Sequence, residues 1–227
     1  MIERFTVYDV FAVLVPGVVF NVLLAVALNY LCDVRLLNWQ GGFGDATVLL
    51  ACGYAVGVFL QAIGSVVVTS RPWCHIYGGH ARFELLRPGA NHYAEGYRLE
   101  LVGALEDRYG ALPLSDDEGY LSALRQQTYR AYKEVAVLDS KVERLLAEHY
   151  QMRAYMVAFT VLAIVSLATL SYSDHQSVET HLLASLVFLV LTCISGGQLR
   201  SKDVSLARHV HAIFLNLDRD PGSSGGS

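Results

Sequence analysis

Four stretches without a single formal charge, residues 10–32, 46–70, 154–172 and 182–199, decide what this chain can fold into. The first holds 23 residues, and as an α-helix it reaches roughly 34 Å, enough to cross about 30 Å of hydrocarbon. Between the second and third lies a polar segment of ordinary composition. The whole chain is only 17% charged, where soluble domains hold about 25%. The expected fold is all-α: a polytopic membrane protein with four transmembrane helices and a helical cytosolic insert between spans two and three.

This divides the chain into an N-terminal transmembrane hairpin (1–70), the insert (71–151), a C-terminal transmembrane hairpin (152–199) and a cytosolic amphipathic tail (200–220). The Gly/Ser-rich end, 221–227, reads as an appended flexible linker. No signal peptide is expected, because the first apolar run is too long and lacks the flanks of one. Cys32, Cys52, Cys74 and Cys193 contain no CxxC spacing, so neither a disulfide framework nor a zinc site is supported.

Charge sets the orientation. Lys and Arg number 11 in residues 71–153 and four in the tail, with Arg4 before the first span and Arg35 alone in the two short loops. The positive-inside rule then puts both termini and the insert in the cytoplasm and the two short loops outside. The outer loops carry Asp33, Asp45, Asp174 and Glu179, a negative surround that would concentrate cations at any opening.

Within the spans, Pro16-Gly17 predicts a kink or a late helix start. Gly53, Gly57, Gln61 and Gly64 fall on one face of span two, and Gly53-x-x-x-Gly57 has the small-xxx-small spacing of close helix packing. Three readings fit that face: packing within the subunit, an oligomer contact, or a polar pore wall that includes Gln61. Asn21, Asn29, Ser185 and Thr192 are further polar groups for a pore or for helix packing. The spans hold no ionisable side chain, which argues against an intramembrane protease or a proton-coupled transporter.

In the insert, helical periodicity covers 93–109 and is stopped by Gly110 and Pro113. Ser115-Asp-Asp-Glu118 reads as a capping box ahead of the apolar stripe Leu121, Leu124, Thr128, Tyr132 and Val135. A second box, Ser140-Lys-Val-Glu143, starts a helix that runs unbroken into the third span, which makes it the candidate coupling element. The tail repeats Val204, Ala207, Val210, His211, Phe214 and Leu217 at helical spacing, as a helix on the membrane or against the insert would.

No HExxH, P-loop, GxGxxG or GxSxG sequence occurs, and the chain does not read as an enzyme. Cys74-His75 with His80 reads as a polar loop, and His209 and His211 as interfacial or solvated side chains. No cofactor is implied. The most ligand-like stretch is 125–133, where Arg125, Arg130 and Lys133 interleave with Tyr129 and Tyr132. Cations beside stacking aromatics suit a nucleotide or single-stranded DNA oligomer, while the plain alternative is a solvated helix face.

Two spans, a cytosolic helical insert of about eighty residues, two more spans and a short tail resemble the small four-span membrane proteins of bacterial antiphage defence systems. The channel-like effector of the Hailong system comes first, the membrane component of the Kiwa system second. Tyr8-Asp9 ahead of Pro16-Gly17, and Tyr150 with Arg153, carry the resemblance. It implies a homo-oligomer, a tetramer by likeness, gated through the insert by a DNA oligomer or working with a cytosolic DNA-binding partner protein. The expectation is therefore a self-associating, channel-like inner-membrane effector in antiphage defence. Its rival is a membrane-bound sensor or scaffold that recruits a cytosolic partner.

Overall fold

The computed structural model describes residues 7–32, 43–70, 81–87, 93–113, 118–171 and 178–219. Among these residues the fold is all-helical. The elements are α1 (Val7–Cys32), α2 (Phe43–Thr69), the single turn α3 (Ala81–Glu84), α4 (Glu95–Tyr109), α5 (Glu118–Leu138), α6 (Ser140–Ala168), a 3-10 turn (Thr169–Ser171) and α7 (Val178–Arg219). Four of them, α1, α2, α6 and α7, are long and apolar enough to cross a membrane. The chain forms two compact units: residues 1–70 with 147–199, and residues 71–146 with 200–227.

In the first unit α1 and α2 pack backbone to backbone. A methyl group on Gly17 would run into the Gly53 carbonyl, and one on Gly57 into the Val13 carbonyl. The small-xxx-small spacing is thus used for packing within the subunit. α1 is helical from Val7 with Pro16 inside it, so the late start expected at Pro16 is not found. Ala154, Val157, Ala158 and Leu162 of α6 are buried, while Phe59, Ile63 and Val66 of α2 and Leu183, Leu186 and Val190 of α7 are exposed. This outward apolar surface is what a bilayer covers in a membrane protein.

The second unit has a core of Leu101 and Leu105 from α4, Leu124, Tyr132 and Val135 from α5, Val142 and Leu145 from α6, and Leu206, Val210 and Phe214 from α7. α4 ends at Gly110, whose φ of 100° is open to glycine but strained for other residues. The Gln127 amide then donates to the Gly110 carbonyl at 2.6 Å, tying that turn to α5. At the start of α6 the cap is Asp139 and not Ser140: its carboxylate accepts the Lys141 N–H at 2.8 Å. Asp is as good a cap as Ser, and the single residue between α5 and α6 is the one placed to turn inward.

Residues 182–199 and the tail, read from the sequence as separate elements, form one helix of 42 residues. Gly196-Gly197 does not interrupt it, because a glycine weakens a helix by only about 1 kcal/mol and packing on both sides outweighs that. Its last turns lie in the core of the second unit, which settles the choice between the membrane surface and the insert. The loop with Trp39, the Cys74-His75-His80 stretch, Ser115, Asp174 and the 221–227 linker lie outside the described residues.

Candidate functional site

Proline at position 16 brings no N–H, so the Ala12 carbonyl one turn earlier loses its helical donor. Gln61 supplies it. The Gln61 Nε2 donates to the Ala12 carbonyl at 3.2 Å and to the Tyr150 carbonyl of α6 at 2.7 Å. With both amide hydrogens engaged, its Oε1 is fixed in direction and accepts from Arg153 Nε at 3.2 Å and Nη2 at 2.8 Å. The Arg153 guanidinium also lies 4.8 Å from the centre of the Tyr150 ring, in cation–π contact. Gly64, one turn beyond Gln61, makes room for the Arg153 stem, which a methyl group there would meet at 2.8 Å. One carboxamide thus ties α1, α2 and α6 together and holds a cation among them. This is a positioned polar junction within the subunit.

Two polar groups of α7 bond to backbone carbonyls nearby. Ser185 donates to the Ala163 carbonyl at 3.3 Å, linking α7 to α6. Thr192 donates to the Phe188 carbonyl of its own helix at 2.9 Å. Asn21 is half-buried and Asn29 exposed on α1. Sequence reasoning missed His181. It stands one residue before the fourth uncharged stretch, yet it is fully buried, with Nδ1 3.2 Å from the Ser166 carbonyl and 3.3 Å from the Thr169 hydroxyl. A carbonyl only accepts, so Nδ1 carries the proton of that bond. The readable signal was Ser185 four residues on, which puts a second polar group on the same helix face.

In the second unit the 125–133 stretch divides by helix phase. Arg125, Tyr129, Arg130 and Lys133 are on the exposed side of α5, whereas Tyr132 is buried in the core and edge-on to His211 at 6.4 Å. Tyr132 therefore leaves the ligand set, since an aromatic ring on the core stripe gains more by burial than by facing water. Lys133 Nζ sits 4.9 Å from the centre of the Tyr129 ring, so that ring face already carries a cation.

His211, read from the sequence as interfacial or solvated, is buried, and its Nδ1 is 3.1 Å from the Tyr93 hydroxyl. Burial pushes the Tyr93 phenol well above its ordinary range. Tyr109 donates to Glu134 at 2.8 Å, and burial followed by that bond pushes its phenol up to about 12. Arg108 pairs with the same Glu134. Asp139 is held below the ordinary carboxylate range, first by the Lys141 N–H and then by His209, whose Nε2 is 2.7 Å away.

Among the described residues no group of three metal-ligating side chains occurs. No protein-family model, curated protein or solved structure matches this chain.

Proposed function

We propose that this chain is a self-associating, channel-like effector of the bacterial inner membrane, gated through its helical insert. The observation that carries the reading is continuity: α6 and α7 each contribute residues to both compact units without a break. A change in the insert is then passed to the membrane bundle through two helices at once. With both termini and the insert on the cytoplasmic side, as the distribution of Lys and Arg favours, the Gln61–Arg153 junction lies at the inner end of the bundle. The gating ligand is anionic, a nucleotide or an oligonucleotide, met by Arg125, Arg130 and Lys133 on α5. Antiphage defence is the role that the layout resembles.

Single-channel recording on the full chain in planar bilayers tests this. Conductance that responds to an added oligonucleotide, and that loses this response when Gly-Pro is inserted beside His149, supports it. A silent membrane, or a response that survives the insertion, speaks against it.

The exposed cationic face of α5 also fits a sensor or scaffold that recruits a cytosolic protein. Pull-down of the full chain from native membranes separates the two, since the scaffold needs a soluble partner at stoichiometric yield.

A further inference from the structure

Two helices of the second unit expose faces that complement each other in charge and relief. On α5 the exposed strip Arg125, Tyr129, Arg130, Lys133 and Val137 repeats at three- and four-residue steps over about 18 Å and contains no acid. It is also apolar in part: Tyr129 is 53% and Val137 86% exposed. On α4 one strip runs through Gly96, Leu99, Glu100, Gly103 and Asp107 over about 16 Å, with Gly103 half-buried and the exposed Glu95 and Arg108 on its flanks. Leu99 on it is 55% exposed.

The glycines decide what α4 is shaped for. Glycine inside a helix costs about 1 kcal/mol against alanine, so its presence calls for a reason. Gly17, Gly53 and Gly57 have one, the close approach of α1 and α2. Gly96 and Gly103 have none among the described residues, where a methyl group on either meets nothing within 4 Å. Both have ordinary helical φ, since Gly110 alone among the described glycines has a positive one. Seven residues apart on one face, they leave a flat, acidic-edged shelf on which another backbone or ring can rest.

We infer that the α4 strip of one copy receives the α5 strip of another, with the Tyr129 ring lying on the Gly96–Gly103 shelf. Arg125, Arg130 and Lys133 then meet Glu100 and Asp107, and Leu99 is covered along with the aliphatic end of α5 at Val137. Such a contact joins two different faces and is heterologous, so repeating it closes a ring when the rotation allows. It rests on the self-associating reading above and names the surfaces that reading needs. An oligonucleotide on α5 and a neighbour's α4 exclude each other there, so ligand and assembly compete for the same cations.

The mass of the full chain in detergent, measured by light scattering, tests the contact with charge-reversed variants. Arg130→Glu with Lys133→Glu, and separately Glu100→Lys with Asp107→Lys, are expected to weaken assembly by about tenfold or more, because like charges then face each other. All four changes in one chain restore opposite charges and regain the wild-type mass. Gly103→Phe fills the shelf and lowers the mass while its melting temperature stays at or above that of the wild type, since the change favours the helix. Wild-type mass in the single-face variants, or no recovery in the fourfold variant, overturns the contact. A wild-type chain that is itself a monomer removes self-association altogether, a separate failure from a misplaced surface.

Discussion

Gln61 stands in for the hydrogen-bond donor that Pro16 lacks: its Nε2 lies 3.2 Å from the Ala12 carbonyl, where a residue other than proline would have donated from the next turn. An unsatisfied carbonyl inside lipid costs several kcal/mol, so the polar side chain on α2 and the proline on α1 belong to one device.

Gln61→Leu removes that donor together with the acceptor for Arg153. A hydrogen bond to a charged group contributes about 1.5–3 kcal/mol, which for a chain of this size lowers the melting temperature by about 5 °C. Pro16→Ala returns an N–H to α1, so the double variant should regain part of the loss, the rest belonging to Arg153. Thermal melts of the four proteins in one detergent check this. Equal losses for Gln61→Leu with and without Pro16→Ala would show that the two positions are independent.

Gly57→Ala and Gly103→Ala are the same chemical change with opposite expected signs. At Gly57 the new methyl meets the Val13 carbonyl, and overpacking of this kind costs about 1–3 kcal/mol. At Gly103 it meets open space, and the gain in helix propensity is about 0.5–1 kcal/mol. Melting temperatures should therefore move apart on either side of the wild type.

Two tyrosines three residues apart should behave as a core and a surface residue. Tyr132→Ala opens the α4–α5–α7 core and is expected to cost about 3–5 kcal/mol, as large aromatic deletions do. Tyr129→Ala should stay within about 0.5 kcal/mol of the wild type. Chemical denaturation followed by tyrosine fluorescence separates the pair. If an oligonucleotide binds α5, the second variant and not the first should weaken it without loss of fold.

Two groups bound the pH range in opposite directions. Asp139 has a lowered pKa, so it contributes stability above its ordinary 3.8 and loses it as pH falls through its lower folded value. Tyr109 has a raised one: its contribution is complete below 10.0 and disappears as pH rises to about 12. Asp139→Asn should flatten the acid limb of a melting-temperature profile, and Tyr109→Phe the alkaline limb. A variant whose limb still matches the wild type would clear that residue of the effect.

The four apolar helices were legible in the sequence because few structures outside a bilayer tolerate a full span's length without charge. The start of α6 was legible to within one residue, and Asp139 displaced Ser140 only because both are good caps. Gln61 was visible as a polar residue on a glycine face, but its work depends on Pro16, 45 positions earlier in another helix. No local pattern links the two. Tyr132 fitted the core stripe and the cationic stretch equally well, and only the partners Leu105, Val210 and Phe214 fix which side of α5 turns inward. The fourth uncharged stretch and the tail were read apart because the charges begin at Arg200, whereas the packing of Leu199, Leu206 and Ala207 carries one helix through Gly196-Gly197.

The length of α7 has a consequence for how the molecule is made. Residues 71–146 leave the ribosome long before Leu206, Val210 and Phe214, yet they share one core with them. At about 5–20 residues per second, synthesis keeps that core open for several seconds or more while the remaining apolar helices are being inserted. The second unit is thus completed only once Leu206, Val210 and Phe214 have been made. A nascent or clipped protein that stops near Leu199 would hold all four uncharged stretches and still lack the wall that Leu206, Val210 and Phe214 add to the core of the second unit.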